Sequence, residues 1–215
     1  MRFRDRIEAG ERLGAAVREQ VSGPAVVLGL ARGGVIVAAG VAEALGASLD
    51  VAVARKLGAP GNPELGIGAV APGVRVVDER LVQLLHVTPR FIEAETEDQS
   101  REVERRLLAY RGDRPPPVLR DATVVVVDDG VATGVTALAA LRWVRAKGAS
   151  RLVFAAPVGP KGACRMLTPD CDECLILHTP TSLRAVGEWY DVFDQTTDDE
   201  VRAAIETRDR PGGDA

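Results

Sequence analysis

The sequence predicts an α/β domain: a central, mainly parallel β-sheet flanked by helices, a Rossmann-like core. Three observations carry that expectation. Short apolar runs alternate with longer helical segments from residue 25 onward. The run at 123–127, TVVVV, holds four consecutive valines, which favours a strand covered on both faces, as in a parallel sheet. Hydrophobic residues make up 46% of the chain and aromatic ones 4%, so the core has to be built from Val, Leu, Ile and Ala. At 215 residues there is enough chain for one such core, so a single domain over 1–210 is expected, with 211–215 as a frayed tail.

In chain order, residues 5–20 read as a first helix with Ile7, Leu13 and Val17 on one face, stopped by Ser22-Gly23-Pro24. Residues 25–30 (AVVLGL) form a buried strand, Ala31-Arg32-Gly33-Gly34 a turn, and 35–45 an almost wholly apolar helix closed by Gly46. A second strand at 49–54 (LDVAVA) ends on Arg55-Lys56. Strand, helix and strand with short connections are the grammar of a parallel sheet.

Residues 57–72 are rich in Gly and Pro, so 58–62 is expected to be a mobile loop, with short strands at 67–71 and 74–77. Thr88 as N-cap and Pro89 at the first helical position start a helix running to about Tyr110. Glu97 with Arg101 and Glu102 with Arg106 give it i,i+4 pairs on an exposed face. The prolines of 114–117 then break the chain. After the valine strand, 134–147 is a helix with Leu138, Leu141 and Val144 inward and Gly148 at its end; further strands follow at 151–156 and 173–177.

A net charge of −4 gives no field for a nucleic-acid backbone. No stretch is long and apolar enough to span a bilayer, and the charged start MRFRDRIEAGERLG lacks a signal-peptide core, so a cytoplasmic protein without membrane or nucleic-acid partners is expected. Cys164, Cys171 and Cys174 are odd in number and clustered late, which predicts reduced thiols. Zinc at Cys171-Asp172-Glu173-Cys174 would need Cys164 and His178 as well. A thiol-metal protein is therefore the weakest functional reading, and His86 shows no partner in the sequence.

The chemistry is concentrated at Asp128-Asp129-Gly130-Val131-Ala132-Thr133-Gly134-Val135-Thr136, where a strand ends and a helix begins. Gly130 and Gly134 let the backbone curl so that successive N–H groups converge on an anion facing the positive end of the helix dipole. Thr133 and Thr136 add hydroxyl donors, which suits a phosphate monoester. Two carboxylates cannot serve that same phosphate and need a neutral polyol or a metal beside it. The spacing is one residue short for a Walker A loop and no Lys follows; G-x-G-x-x-G is also absent.

Residues 124–136, VVVVDDGVATGVT, resemble the motif of type I phosphoribosyltransferases that binds 5-phosphoribosyl-1-pyrophosphate (PRPP): four apolar residues, two acidic ones, then small residues with Thr-Gly and a final Thr or Ser. The resemblance implies that Asp128 and Asp129 bind the ribose hydroxyls and that Gly130, Val131, Ala132, Thr133, Gly134, Val135 and Thr136 hold the 5-phosphate. It also implies a pyrophosphate turn after the first core strand, where Ala31, Arg32 and Gly33 stand. Arg55 and Lys56, one of three lysines in the chain, end the next strand and are further pyrophosphate candidates. Arg32, Lys56 and Asp129 are the residues expected to carry catalysis.

The implied reaction uses Mg2+ with PRPP and passes through an oxocarbenium-like state, the metal held mainly by substrate and water rather than by direct protein ligands. Residues 57–65 are a candidate lid. A small hood is expected from 57–87, from 187–205 or from the N-terminal helix, with Trp189 and Tyr190 as candidates to stack on a base. In hypoxanthine- and guanine-type members a carboxylate precedes Thr-Gly; here that residue is Ala132, which makes a 6-oxopurine acceptor less favoured. A non-catalytic PRPP- or nucleotide-binding regulator of the same fold is the alternative, and homodimerisation is left open.

Overall fold

The computed structural model describes residues 2–208. The predicted frayed tail at 211–215 lies outside the described residues. Helix α1 (Arg6–Arg18) starts at Asp5, whose carboxylate accepts the Glu8 N–H, and leads to β1 (Ala25–Leu30). Helix α2 (Gly33–Leu45) ends on left-handed Gly46, and β2 (Ser48–Ala52) follows. Next come β3 (Arg55–Ala59), β4 (Asn62–Ala71), β5 (Val74–Val77), α3 (Glu79–Leu84) and α4 (Pro89–Arg111). The Thr88 hydroxyl caps α4 as its sequence predicts, and Glu102 pairs with Arg106. Arg101, however, pairs with Asp98 rather than Glu97. The remaining elements are β6 (Thr123–Val127), α5 (Val135–Ala146), β7 (Arg151–Val158), α6 (Ala163–Leu167), β8 (Glu173–His178), a short 3-10 turn (Val186–Trp189) and α7 (Asp198–Arg208).

Five strands form one parallel sheet in the order β2-β1-β6-β7-β8. The valines of β6 are fully buried and alternate between its faces. Val124 and Val126 pack in a cluster with Leu141 and Val144 of α5, whereas Val125 and Val127 pack with Leu13 of α1 and Val37 and Val41 of α2. Burial of each such side chain is worth about 1.5–3 kcal/mol, which fixes β6 at the centre. Register aligns Val26 with Val124 and Gly29 with Val127, so β1 and β6 end side by side. The turn after β1 and the loop after β6 therefore share one edge of the sheet.

The second strand is shorter than its sequence suggests. It stops at Ala52, and Arg55-Lys56 opens β3 in a separate antiparallel sheet, β3-β4-β5. The expected mobile loop at 58–62 is a hairpin, with Pro60-Gly61 as its turn and Leu57 opposite Gly68. Glycine content hid this pairing, but Leu57 and Ile67 are fully buried in a cluster with Val103 of α4 and Val201 of α7. Helices α3 and α6 were also not expected, each being too short to show a period.

The chain start and the segment after β8 are tied together. Phe3 N–H donates to Trp189 O at 2.8 Å and Asp191 N–H donates to Phe3 O at 2.8 Å. Among the described residues no helix is long and apolar enough to cross a membrane.

Candidate functional site

Asp128 and Asp129 follow the last valine of β6. The Asp129 N–H donates to Asp128 Oδ1 at 2.9 Å, and Asp129 Oδ2 accepts from Arg6 Nε at 2.8 Å. The Tyr190 hydroxyl donates to the Asp129 carbonyl at 2.6 Å. Arg6 is itself fixed: its guanidinium lies 3.9 Å from the centre of the Phe193 ring, and Nη1 donates to Asp194 O at 2.8 Å. Burial pushes both carboxyls above the usual range. The Asp129 charge pushes Asp128 further up, whereas Arg6 pulls Asp129 back down. Asp128 is thus the member that keeps a proton to higher pH.

The turn after β1 presses on this pair. A Cβ at Gly33 would lie 1.9 Å from Asp129 Oδ2 and 2.5 Å from Arg6 Nε, so only glycine fits. A Cβ at Gly34 would lie 2.9 Å from Asp128 Cα. Ala31 is joined to Arg32 by a cis peptide bond, and its N–H donates to Ala52 O at 2.9 Å. Arg32 reaches Asp198 on α7, Nη1 to Oδ1 at 3.7 Å, and Asp198 also accepts the Tyr110 hydroxyl at 2.9 Å.

Between β6 and α5, Gly130 follows the carboxylates and Val131 is buried, its N–H donating to Val158 O at 2.8 Å. Ala132 and Thr133 are exposed, while Val135 and Thr136 are half-buried in the first turn of α5. Gly134 occupies the N-cap in the left-handed region at φ 76°, with no side-chain cap and no acid in the first turn of α5. The first N–H groups of α5 therefore have no side-chain cap.

Arg55 and Lys56 point to opposite faces of β3, as neighbouring residues of a strand do, and meet different partners. Arg55 Nε donates to Gln99 Oε1 on α4 at 3.0 Å, and burial holds its pKa below the usual arginine value. Lys56 Nζ donates to Glu64 O at 2.8 Å and pairs with Glu64 Oε2 at 3.2 Å; its methylenes lie against Gly66, next to Val135.

Two expectations need correction. Tyr190 does not present a stacking face: it is 2% exposed, 5.6 Å from the Phe3 ring and 4.9 Å from the Phe193 ring. Its burial, with Asp129 nearby, raises its pKa and keeps it a neutral donor. Trp189 is half-buried against the same cluster. The thiols are not all reduced, since Cys164 on α6 is joined to Cys174 on β8 with Cα atoms 5.5 Å apart. An odd count allows one bridge, and α6 folds back onto the start of β8. That bridge removes two ligands from the thiol-metal set. The remaining Cys171 is buried, its thiol pushed up to about 11. Arg6 and Phe193, which complete the carboxylate clamp, carry no sequence signal, as each is an ordinary residue far from the motif.

Residues 5–177 match the family model described as "Phosphoribosyl transferase domain". A Mycobacterium tuberculosis (H37Rv) protein named "Putative phosphoribosyl transferase Rv0571c" is 43% identical over 99% of this chain; the chain spans about half of that relative's length. The structure of TT1426 from Thermus thermophilus is 40% identical with a TM-score of 0.81, covering 97% of this chain and 99% of that one. The Aquifex aeolicus AQ2163 protein, 11% identical with a TM-score of 0.54 over 85% of this chain and 78% of that one, shares the fold. With a five-stranded parallel sheet, a separate antiparallel sheet and a family match over most of its length, the chain belongs to the phosphoribosyl transferase domain family.

Proposed function

We propose that the protein transfers the 5-phosphoribosyl group of Mg-PRPP to a nitrogenous base or related acceptor and releases pyrophosphate. One observation carries this reading: a half-buried carboxylate pair lies against Gly33 and Gly34 on one side and leads into the uncapped N-terminus of α5 on the other. A ribose carrying a phosphate at C5 and a diphosphate at C1 meets all three surfaces.

In this reading Asp128 and Asp129 accept the ribose hydroxyls. Arg6 holds Asp129 through Oδ2, and the Asp129 N–H holds Asp128 through Oδ1. The N–H groups of residues 130–136, with Thr133 and Thr136, hold the 5-phosphate. Arg32, the backbone at Ala31 and Gly33, and Lys56 take the diphosphate, with Lys56 leaving Glu64 as the 55–65 hairpin closes over C1. The C1–O bond breaks toward the diphosphate as the acceptor nitrogen bonds to C1 and gives up its proton. These cations, set around the leaving group in a dry site, stabilise the charge that develops on it.

Among the described residues no three His, Cys, Asp or Glu side chains form a metal cage. Two carboxylates beside a phosphate cradle suit a hard cation carried mainly by substrate oxygens and water. Magnesium bound in that way supplies charge neutralisation on the diphosphate.

The test is incubation with magnesium, PRPP and a panel of adenine, uracil, orotate and hypoxanthine, following pyrophosphate. Acceptor-dependent release, lowered at least about a hundredfold in Asp129→Asn, is expected. Unchanged PRPP affinity in both Asp129→Asn and Thr133→Ala would remove the site assignment. Tight PRPP binding with no release by any base would support the regulator instead.

A further inference from the structure

The loop between β6 and α5 is held at its root and at its tip by different means. At the root, the Val131 N–H donates to Val158 O at 2.8 Å, which ties that end to β7 through the backbone. At the tip, Gly134 sits in the left-handed region, and the nearest side chain from outside the loop is Met166 of α6. A Cβ at Gly134 would lie 2.1 Å from Met166 Cε and 3.7 Å from its Sδ, so the thioether rests on the glycine itself.

Met166 has a conditional support. Helix α6 is five residues long, too short to be stable alone. Ala163 and Leu167 seat it in the core, and the bond from Cys164 to Cys174 ties it to β8, two residues before Met166. Both bonded cysteines are half-buried, within reach of a small reductant. Cys171 is poorly suited to attack that bond. Its sulfur donates to Leu167 O at 3.4 Å, and burial keeps it a protonated thiol rather than a nucleophilic thiolate. The bridge therefore persists until an outside thiol opens it.

We propose that the Cys164–Cys174 bond is a redox control on the phosphate loop, with Met166 as the positioning residue that transmits it. A dithiol reductant supplies two electrons and two protons. The S–S bond breaks, Cys164 and Cys174 become thiols, and the reductant closes to its own disulfide. With the tie to β8 lost, Met166 lifts from Gly134 and the first turn of α5 loses its outside support. A loop already ordered binds an anion without a further ordering cost, so the oxidised protein is the tight-binding state. The choice of PRPP as the anion rests on the proposed function; the coupling of bond to loop does not.

The Leu138 N–H donates to Gly134 O at 2.9 Å and reports on the tip, as the Val131 N–H reports on the root. In the 15N-labelled whole chain without ligand, dithiothreitol should speed exchange of the Leu138 amide at least about tenfold and of the Val131 amide less than about twofold. Cys164→Ser combined with Cys174→Ser should behave as the reduced protein does, and reoxidation of the unaltered chain with glutathione disulfide should restore the slow rate. Oxidised Met166→Ala should show the fast Leu138 rate with the bond intact, and reducing it should add less than about twofold. PRPP affinity, from calorimetry, should fall about tenfold on reduction. An unchanged Leu138 rate on reduction, a Met166→Ala protein that still responds in full, or equal PRPP affinity in the two redox states would each overturn the proposal. An oxidised chain that binds no PRPP would instead remove the PRPP reading, and the Leu138 rates would still decide the coupling.

Discussion

On the β6 side of the candidate PRPP site, Asp129 is gripped by three parts of the chain at once: Arg6 from α1, Tyr190 from the segment after β8, and Gly33 from the turn after β1. On the β3–β4 side, the Lys56 ammonium is held by Glu64 on the same hairpin, whose side chain is 92% exposed. One half is preorganised by packing and the other by a contact that water competes for. In the proposed reaction a rigid half suits recognition of the ribose hydroxyls and the 5-phosphate, which keep their bonds. The loosely held half suits a diphosphate that must arrive with the donor and leave afterwards.

The largest test of this contrast is Gly33→Ala. Its Cβ overlaps a carboxylate that Arg6 prevents from moving, so PRPP affinity should fall about a hundredfold, near 2.7 kcal/mol, measured by calorimetry. An unchanged affinity would mean that the rigid half is not rigid.

Arg6→Gln should act through pH. Arg6 lowers the Asp129 pKa against the effect of burial, so its loss raises that pKa and delays ionisation. The acid limb of kcat/KM should move up by about one pH unit, an effect of about 1.4 kcal/mol that is present at low pH and fades at high pH. A uniform loss at every pH would assign Arg6 a purely structural role.

Lys56→Ala should raise KM for PRPP about fivefold while stability, from urea unfolding, changes by less than about 0.5 kcal/mol. A large stability loss would show that the hairpin is as firmly built as the β6 side.

Asp128→Asn should give the smallest change and the opposite sign, a gain of about 0.5–1 kcal/mol in stability. The Asp128 pKa is raised in the folded state, so the carboxyl favours folding while protonated and opposes it once pH passes its folded value. The gain should therefore appear at neutral pH and shrink on acidification.

The rigid half was largely legible in the sequence. Four valines in a row leave β6 no place except the centre, and Asp128 to Thr136 follow it directly, so strand end, carboxylates and helix start are local facts. The ends of α2 and α4 were legible for the same reason, through Gly46, Thr88 and Pro89. Arg6 was not, because no spacing rule links residue 6 to residue 129; they meet through the packing of α1 on α2 and the strand order. Tyr190 looked available in an aromatic-poor chain, yet it packs with Phe3 and Phe193 where the segment after β8 meets the chain start. Arg55 and Lys56 were read as a strand end because glycine and proline masked the register of β3 with β4.

Strand order also decides when the site can come into being. β1 can pair with β2 once both have left the ribosome, but its other edge must wait for β6, since Ala25 is matched to Thr123. A nascent chain shorter than that presents an open, apolar strand edge and lacks both carboxylates. The seam along which Gly33 meets Asp129 cannot close before β6 is made, and the Tyr190 contact to Asp129 follows only after β7 and β8, so the candidate site is assembled late in synthesis. A stalled product ending before β6 should thus aggregate rather than be rescued by donor.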